Sequence, residues 1–409
     1  MSKLIVDVEP ESYGLSSARL ARISSHFDAY VDDRRLPSWL ATVSRGGQLV
    51  WSDKGGHRDR ERGIEVSDDT IWRIYSMTKP LTAIAAMMLY EEGRFDLNDE
   101  VGRWIESLRE PRVWVGGTVA SPETAPATNP ILVHHLLTHT SGLTYGFQRR
   151  HPVDAIYRER GYDFGYAPGA DLAKGVDDWA SAPLLFEPGT HFNYSVAIDV
   201  LGRLIEIWSG QPLDVFMKEQ IFDPLGMDDT QWWCPPEKEE RLAMLYVPYH
   251  GESHPFEELA KTVLHPPRFL AGGGGLLSTA YDYERFMSMM LRGGELDGVR
   301  LLSSRTIEFM TENHLPHDAE LAELAIDSYS EVDGAGRGFG LSMFVVTDPR
   351  KNKSLVTEGS FGWGGAASTI FWVDPLEDLT VAFYTQLLPT GTYPIRREMQ
   401  QLVYQALVD

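Results

Sequence analysis

The sequence predicts an α/β chain of the mixed α+β kind, an antiparallel sheet flanked by helices with a long, mostly helical insertion. Three observations carry that expectation. Strand-like runs lie near both ends of the 409 residues, helical patterns and long connections dominate from Ser76 to about residue 265, and the closing segment Tyr393 to Val408 reads as a helix packed back on the sheet. Strands drawn from both termini, with helices between them, describe one α/β unit interrupted by a second domain. The expected boundaries are 1–75 and 266–409 for the α/β domain and 76–265 for the insert, with the site in the cleft between them.

The elements follow in order. Leu20, Ile23, Phe27 and Tyr30 recur at helical spacing within Leu15 to Val31. Leu40 to Ser44, the pair Gly46-Gly47 and Gln48 to Trp51 read as strand, tight turn, strand, and Thr70 to Tyr75 as a further strand leading into Ser76. After Ser76, the residues Leu81, Ile84, Ala85 and Met88 fall on one helical face, and Gly93 stands where a left-handed residue would end the helix. A second buried helix follows Tyr194, with Ala197, Val200, Leu201, Leu204, Ile205 and Trp208 as its stripe and Gly210 at its end. Helices are predicted at Ala280 to Leu291 and Ser303 to Asn313. Strands are predicted at Gly338 to Thr347, Ala366 to Asp374 and Leu379 to Gln386, the last two forming a hairpin about Asp374 to Asp378. The stretches Glu110 to Pro130 and His151 to Gly189 are rich in Pro, Gly and Asp and read as long loops, either lids or cleft walls.

Composition excludes several classes. With 43% hydrophobic and 23% charged residues the chain sits near the globular average. Its 37 Lys and Arg against 59 Asp and Glu leave a net charge of −22, which repels a phosphate backbone or an anionic membrane, so neither nucleic acid nor bilayer is an expected partner. No apolar run approaches the roughly 18 residues of a membrane span, and the first ten residues lack a signal-peptide core, so a cytoplasmic protein is expected. The single Cys234 can form no internal disulfide and lacks zinc-ligand spacing. His135 and His139 are four apart but no Glu follows His135, so no metal is expected. Neither a Gly-x-Ser-x-Gly elbow nor a phosphate loop occurs, which leaves Gly272 to Gly275 as a tight turn near the cleft.

Three segments carry chemistry. In Ser76-Met-Thr-Lys79 a hydroxyl and an amine lie one turn apart on the same face at the start of a buried helix. The helix dipole there favours an alkoxide, and burial moves an ammonium toward the range in which it accepts a proton. Tyr194 precedes the second helix, where a phenol beside an ammonium can relay protons. Taken alone it reads first as a packing tyrosine, because Tyr-Ser also occurs at Tyr75-Ser76 and Tyr329-Ser330. The run Gly359 to Ala366, with Trp363, Gly364 and Gly365, precedes a strand and can bring a backbone N–H close to a ligand, the amide of Ser76 being a second donor. Taken alone it reads first as a glycine-rich turn with a core tryptophan.

Together these segments resemble the serine hydrolases of the β-lactamase and penicillin-binding-protein superfamily, in particular the class C-like branch that includes the family VIII carboxylesterases. The resemblance runs nearly end to end. Besides Ser76 to Lys79 it rests on Leu136 to Leu143, Phe186 to Thr190, Tyr194 to Val196, Pro224 to Met227, Gly272 to Ser278 and Trp363 to Gly365. It implies a β-lactamase-like fold, Ser76 as nucleophile, Lys79 and Tyr194 as coupled base and acid, and the Ser76 and Ala366 amides as an oxyanion hole. No cofactor is implied. The β-lactamase and peptidase branches begin the third motif with a cation that holds a substrate carboxylate, whereas this chain has Trp363, and Val196 replaces the usual Asn or Ser of the second motif. Both departures favour neutral, partly apolar acyl groups. The expected activity is therefore hydrolysis of small carboxylic esters, with Trp363, Gly364 and Gly365 lining the substrate site. The alternatives are a β-lactamase or D-alanyl carboxypeptidase, or an acyltransferase using the same acyl-enzyme. A silent binding protein would have been expected to lose Ser76, Lys79 or Tyr194.

Overall fold

Ser38–Arg45 (β1) is buried along almost its whole length, as a strand covered on both faces must be. It turns at Gly46-Gly47, where φ values of 61° and 73° suit glycine, and pairs with Gln48–Asp59 (β2). In the computed structural model, which describes residues 4–163, 169–326 and 334–408, these strands belong to an antiparallel sheet of eight. Ile64–Glu65 (β3) extends it on one side. Arg337–Phe339 (β4), Phe344–Val346 (β5), Phe361–Gly364 (β6), Ile370–Asp374 (β7) and Leu379–Tyr384 (β8) complete it, in the spatial order β4-β5-β6-β7-β8-β1-β2-β3. The strand from near the start thus pairs with one from near the end, Leu40 opposite Tyr384 and Ser44 opposite Thr380.

Helices cover both faces, which is why β7 and β8 are apolar without alternation. Ser17–Asp32 (α1) sets Phe27 against Phe383 at 4.5 Å. The other face carries Phe371, packed by Tyr283 and Phe286 of Ala280–Leu291 (α4) at 5.1 and 6.3 Å. Between these lie Thr78–Glu91 (α2) and Ala197–Ser209 (α3), which pack on each other and are buried over most of their length. Ile395–Tyr404 (α5) lies beside α1. Among the described residues no helix is long and apolar enough to cross a membrane.

Several elements differ from expectation. Gly338 to Thr347 is not one strand but the hairpin β4–β5, reversed where Ser342 takes φ 74°. The strand expected from Ala366 begins only at Ile370; Ala366 to Thr369 form a turn closed by Gly365 N–H to Thr369 O at 2.9 Å. Trp363 and Gly364 lie within β6 instead of before a strand, because pairing with Phe371 and Ile370 overrides the poor strand preference of glycine. Of Thr70 to Tyr75, Trp72–Arg73 pairs with Leu277–Ser278 in a separate short ladder, and Ile71 forms a single parallel bridge to Leu242. The stretch Glu110 to Pro130 contains the hairpin Arg112–Gly117 with Pro122–Pro126. His151 to Gly189 carries the helices Pro152–Glu159 and Leu172–Ala180, with residues 164–168 of that expected loop outside those described. Two of the residue types that made this stretch read as loop mark helix starts: Asp171 accepts from Lys174 N–H, and Pro152 opens the other helix behind its cap His151, which accepts from Val153 N–H.

Candidate active site

Ser76 sits in a 3-10 turn, Tyr75–Met77, that feeds directly into α2. Tyr75 has φ 43°, a left-handed conformation costly for an aromatic residue and held here by its surroundings. Before it, the buried Arg73 guanidinium donates to the Ala243 and Ala260 carbonyls. After it, Tyr283 of α4 donates to the Met77 carbonyl at 2.8 Å. The turn presents Ser76 Oγ, 9% exposed as a residue, to two donors: Tyr194 Oη at 2.6 Å and Lys79 Nζ at 3.3 Å. A separation of 2.6 Å is short enough for a proton to pass between the two oxygens.

Lys79 is almost wholly buried, so its amine must be satisfied by protein atoms. It donates to Gly273 O at 2.5 Å and Tyr145 Oη at 3.2 Å, and lies 4.5 Å from the centre of the Tyr194 ring. The glycine run is the device that delivers this carbonyl. Thr82 Oγ1 donates to Gly272 O at 2.7 Å and Leu276 N–H donates to Thr78 Oγ1 at 3.2 Å, tying the run to α2. On its far side a Cβ at Gly272 would come within 2.9 Å of the Ile198 carbonyl, so only glycine lets the run thread between α2 and α3. Asp199 of α3 then accepts from Gly273 N–H at 2.9 Å. Burial raises the Asp199 carboxyl to about 6, opposed by the Lys79 charge and by that N–H.

The third segment approaches from β6, which packs on the Ser76 turn. A Cβ at Gly365 would lie 2.5 Å from the Ile74 carbonyl, and one at Gly364 would strike the Arg396 guanidinium. Arg396 of α5 donates to Gly365 O at 3.0 Å and Thr369 O at 3.2 Å and so pins the turn that carries Ala366. Among the described residues, the N–H groups of Ser76 and Ala366 enter no turn or sheet hydrogen bond. Trp363 lies behind Tyr194, with its Nε1 3.4 Å from Tyr194 Oη.

The structure therefore brings together Ser76, Lys79, Tyr194, Trp363 and the glycine pair. Tyr145, Asp199, Gly273 and Arg396 belong to the same constellation and were missed by sequence reasoning. Asp199 had a signal, a carboxylate inside the otherwise apolar run Val196 to Leu201; Tyr145 had none beyond its position just after Leu143. Of the two histidines weighed as ligands, His139 is buried against Tyr194 with ring centres 4.8 Å apart, and it accepts from Ser195 N–H at 3.3 Å. Burial and the Lys79 charge push its pKa well down, so it is a neutral packing group. His135 Nδ1 accepts from Leu132 N–H at 3.2 Å, outside the constellation.

Comparison with known proteins gives the family and the fold. The Beta-lactamase family model matches residues 23–406. Protein Rv1367c of Mycobacterium tuberculosis is 36% identical over 357 residues, covering 87% of this chain and 86% of its own. Esterase EstB of Burkholderia gladioli is 30% identical over 420 residues, covering 97% and 98%. Among solved structures, EstCE1, described as a hydrolase with promiscuous acyltransferase activity, superposes with a TM-score of 0.79 at 25% identity and covers 96% of this chain and 99% of its own.

Proposed function

Starting from a chain that belongs to the Beta-lactamase family, we propose that it is a serine carboxylesterase acting on small, neutral esters through an acyl-enzyme on Ser76. The observation that carries this is the hydrogen-bonded set of Ser76 Oγ, Tyr194 Oη and Lys79 Nζ, at 2.6 and 3.3 Å from the serine oxygen. The Lys79–Tyr194 pair accepts the Ser76 proton as Oγ bonds to the ester carbonyl carbon. The carbonyl electrons move onto oxygen, where the Ser76 and Ala366 amides receive the charge. On collapse the C–O bond to the alcohol breaks, and Tyr194 returns the proton to the leaving oxygen. Water then adds to the acyl-enzyme by the same relay in reverse, releasing acid and free Ser76.

The neutral-ester preference rests on Trp363, an indole where a carboxylate-binding cation would stand, and it is supported by the 30% identity to an esterase. Transfer of the acyl group to an alcohol is the second reading, favoured by the activity described for EstCE1. The test is p-nitrophenol release from p-nitrophenyl butyrate by wild type and Ser76→Ala, both checked by circular dichroism. The expected loss is at least about a thousandfold. An unchanged rate in the variant would refute the mechanism, and added alcohol that diverts product from acid to ester would establish transfer.

A further inference from the structure

Trp363 is only 2% exposed, so little of its ring is left to wall a substrate. The ring packs on Tyr194 at 5.6 Å, Phe339 at 5.3 Å and Phe344 at 6.4 Å, all centre to centre. Its one polar atom, the indole Nε1–H, is directed at Tyr194 Oη at 3.4 Å. An indole nitrogen can only donate, so the phenol oxygen is the acceptor. The Tyr194 O–H points to Ser76 Oγ, which leaves the indole bond on a lone pair of the same oxygen. When Tyr194 gives up its proton, that bond becomes one to an anion and strengthens.

Resting on the reading of Tyr194 as relay acid and base, we propose that Trp363 is a positioning residue of the relay, a neutral donor that holds the Tyr194 oxygen over Ser76 and favours its phenolate form. Other described groups surround Tyr194 as well. Lys79 supplies the nearby positive charge, at 4.5 Å from the ring centre, but its own donated bonds include Ser76 Oγ, Tyr145 Oη and Gly273 O. His139, at 4.8 Å, is neutral. The Tyr145 ring lies 5.4 Å away, Gln148 donates to the Tyr194 backbone carbonyl, and the Asp199 carboxyl reaches the centre only through Gly273. The third motif thus acts on the relay, and it does so without a charge that would attract an anionic acyl group.

The test compares wild type, Trp363→Phe, Tyr194→Phe and the double variant on p-nitrophenyl butyrate across pH. Trp363→Phe is expected to lower kcat about tenfold with KM within about twofold, the size of one lost hydrogen bond to a charged group. The acid limb of kcat/KM should move to higher pH by about one unit, because the base form is less favoured without the donor. In the Tyr194→Phe background the same substitution should cost nothing further. A rise in KM with an unmoved acid limb, or an equal loss in both backgrounds, would show that Trp363 is only an apolar wall and overturn the proposal. Because a smaller ring could loosen β6, 3-benzothienylalanine at position 363, which replaces the N–H by sulfur within nearly the same outline, must reproduce the kcat loss; a wild-type rate there overturns it too. If Tyr194→Phe itself turns over at the wild-type rate, the relay reading falls, a result separate from failure of the Trp363 variants beside an inactive Tyr194→Phe.

Discussion

Two places on the sheet face toward α4 that bury ionisable groups are built differently. Around Ser76 an ammonium, two phenols and a carboxyl gather about one serine hydroxyl, with Lys79 and Asp199 joined through the Gly273 peptide. Farther along the same face, Glu284 of α4 meets only hydroxyls, Thr380 Oγ1 at 2.8 Å and Ser288 Oγ at 3.4 Å, and forms no ion pair among the described residues. Burial lifts it to about 7, against the downward pull of the Ser44, Thr380, Ser288 and Thr42 hydroxyls, whereas the Lys79 charge helps to hold Asp199 near 6. Both places contain strongly perturbed carboxyls. Only the first adds a serine hydroxyl with a phenol and an amine within bonding distance, so perturbation marks burial and convergence marks the candidate site.

Three substitutions would sharpen or break that contrast. Gly365→Ala should be the most damaging: its Cβ would sit 2.5 Å from the Ile74 carbonyl and 2.3 Å from Thr369 Oγ1, pushing the Ala366 turn away from Ser76. A displacement of this kind is expected to cut kcat/KM about a hundredfold, with a stability loss of about 2 kcal/mol in urea titrations. Retention of more than about a tenth of the activity would mean that close contact between β6 and the Ser76 turn is not needed. Asp199→Ala leaves the buried Gly273 N–H without its acceptor and loosens the carbonyl that holds Lys79. Its kcat should fall about tenfold with little change in KM, and an unaltered kcat would separate Asp199 from the catalytic centre.

Glu284→Gln should leave the ester assay unchanged and alter only the pH dependence of stability. The Glu284 carboxyl binds its proton more tightly folded, at about 7, than at the 4.5 of an exposed glutamate. The folded state therefore holds more protons between those values, and wild-type stability drops as pH rises through that window, by about 3 kcal/mol in total. Below the window the contribution is fully present; above it the loss is complete. Urea unfolding at pH 4.5 and pH 8 should show the glutamine variant gaining on wild type at the higher pH, and parallel curves for the two proteins would place the Glu284 proton elsewhere.

What was legible in the chain follows its locality. Ser76 and Lys79 share a helix face because they are three apart, and the stripes of α1, α2, α3 and α4 emerge from their own periodicity. Tyr194 and Trp363 were identified through the order of several motifs, which no single spacing could supply. Pro152 and Asp171 misled because the same residue types favour turns and helix starts, and only the helix behind them decides which.

By itself, then, the sequence determined the α/β class, a serine and a lysine on one helix face, and, through the order of its motifs, a third motif that lacks a cation. The tertiary structure alone decided which oxygens satisfy the lysine and which donor meets the phenol. Tyr145 is 66 residues from Lys79, Gly273 is 194 from it, and Trp363 is 169 from Tyr194. Contacts across such separations exist only once the sheet has closed and the glycine run has threaded between α2 and α3, because a buried amine or phenol must then take its partners from whatever backbone and side chains the packing brings within 3 Å or so.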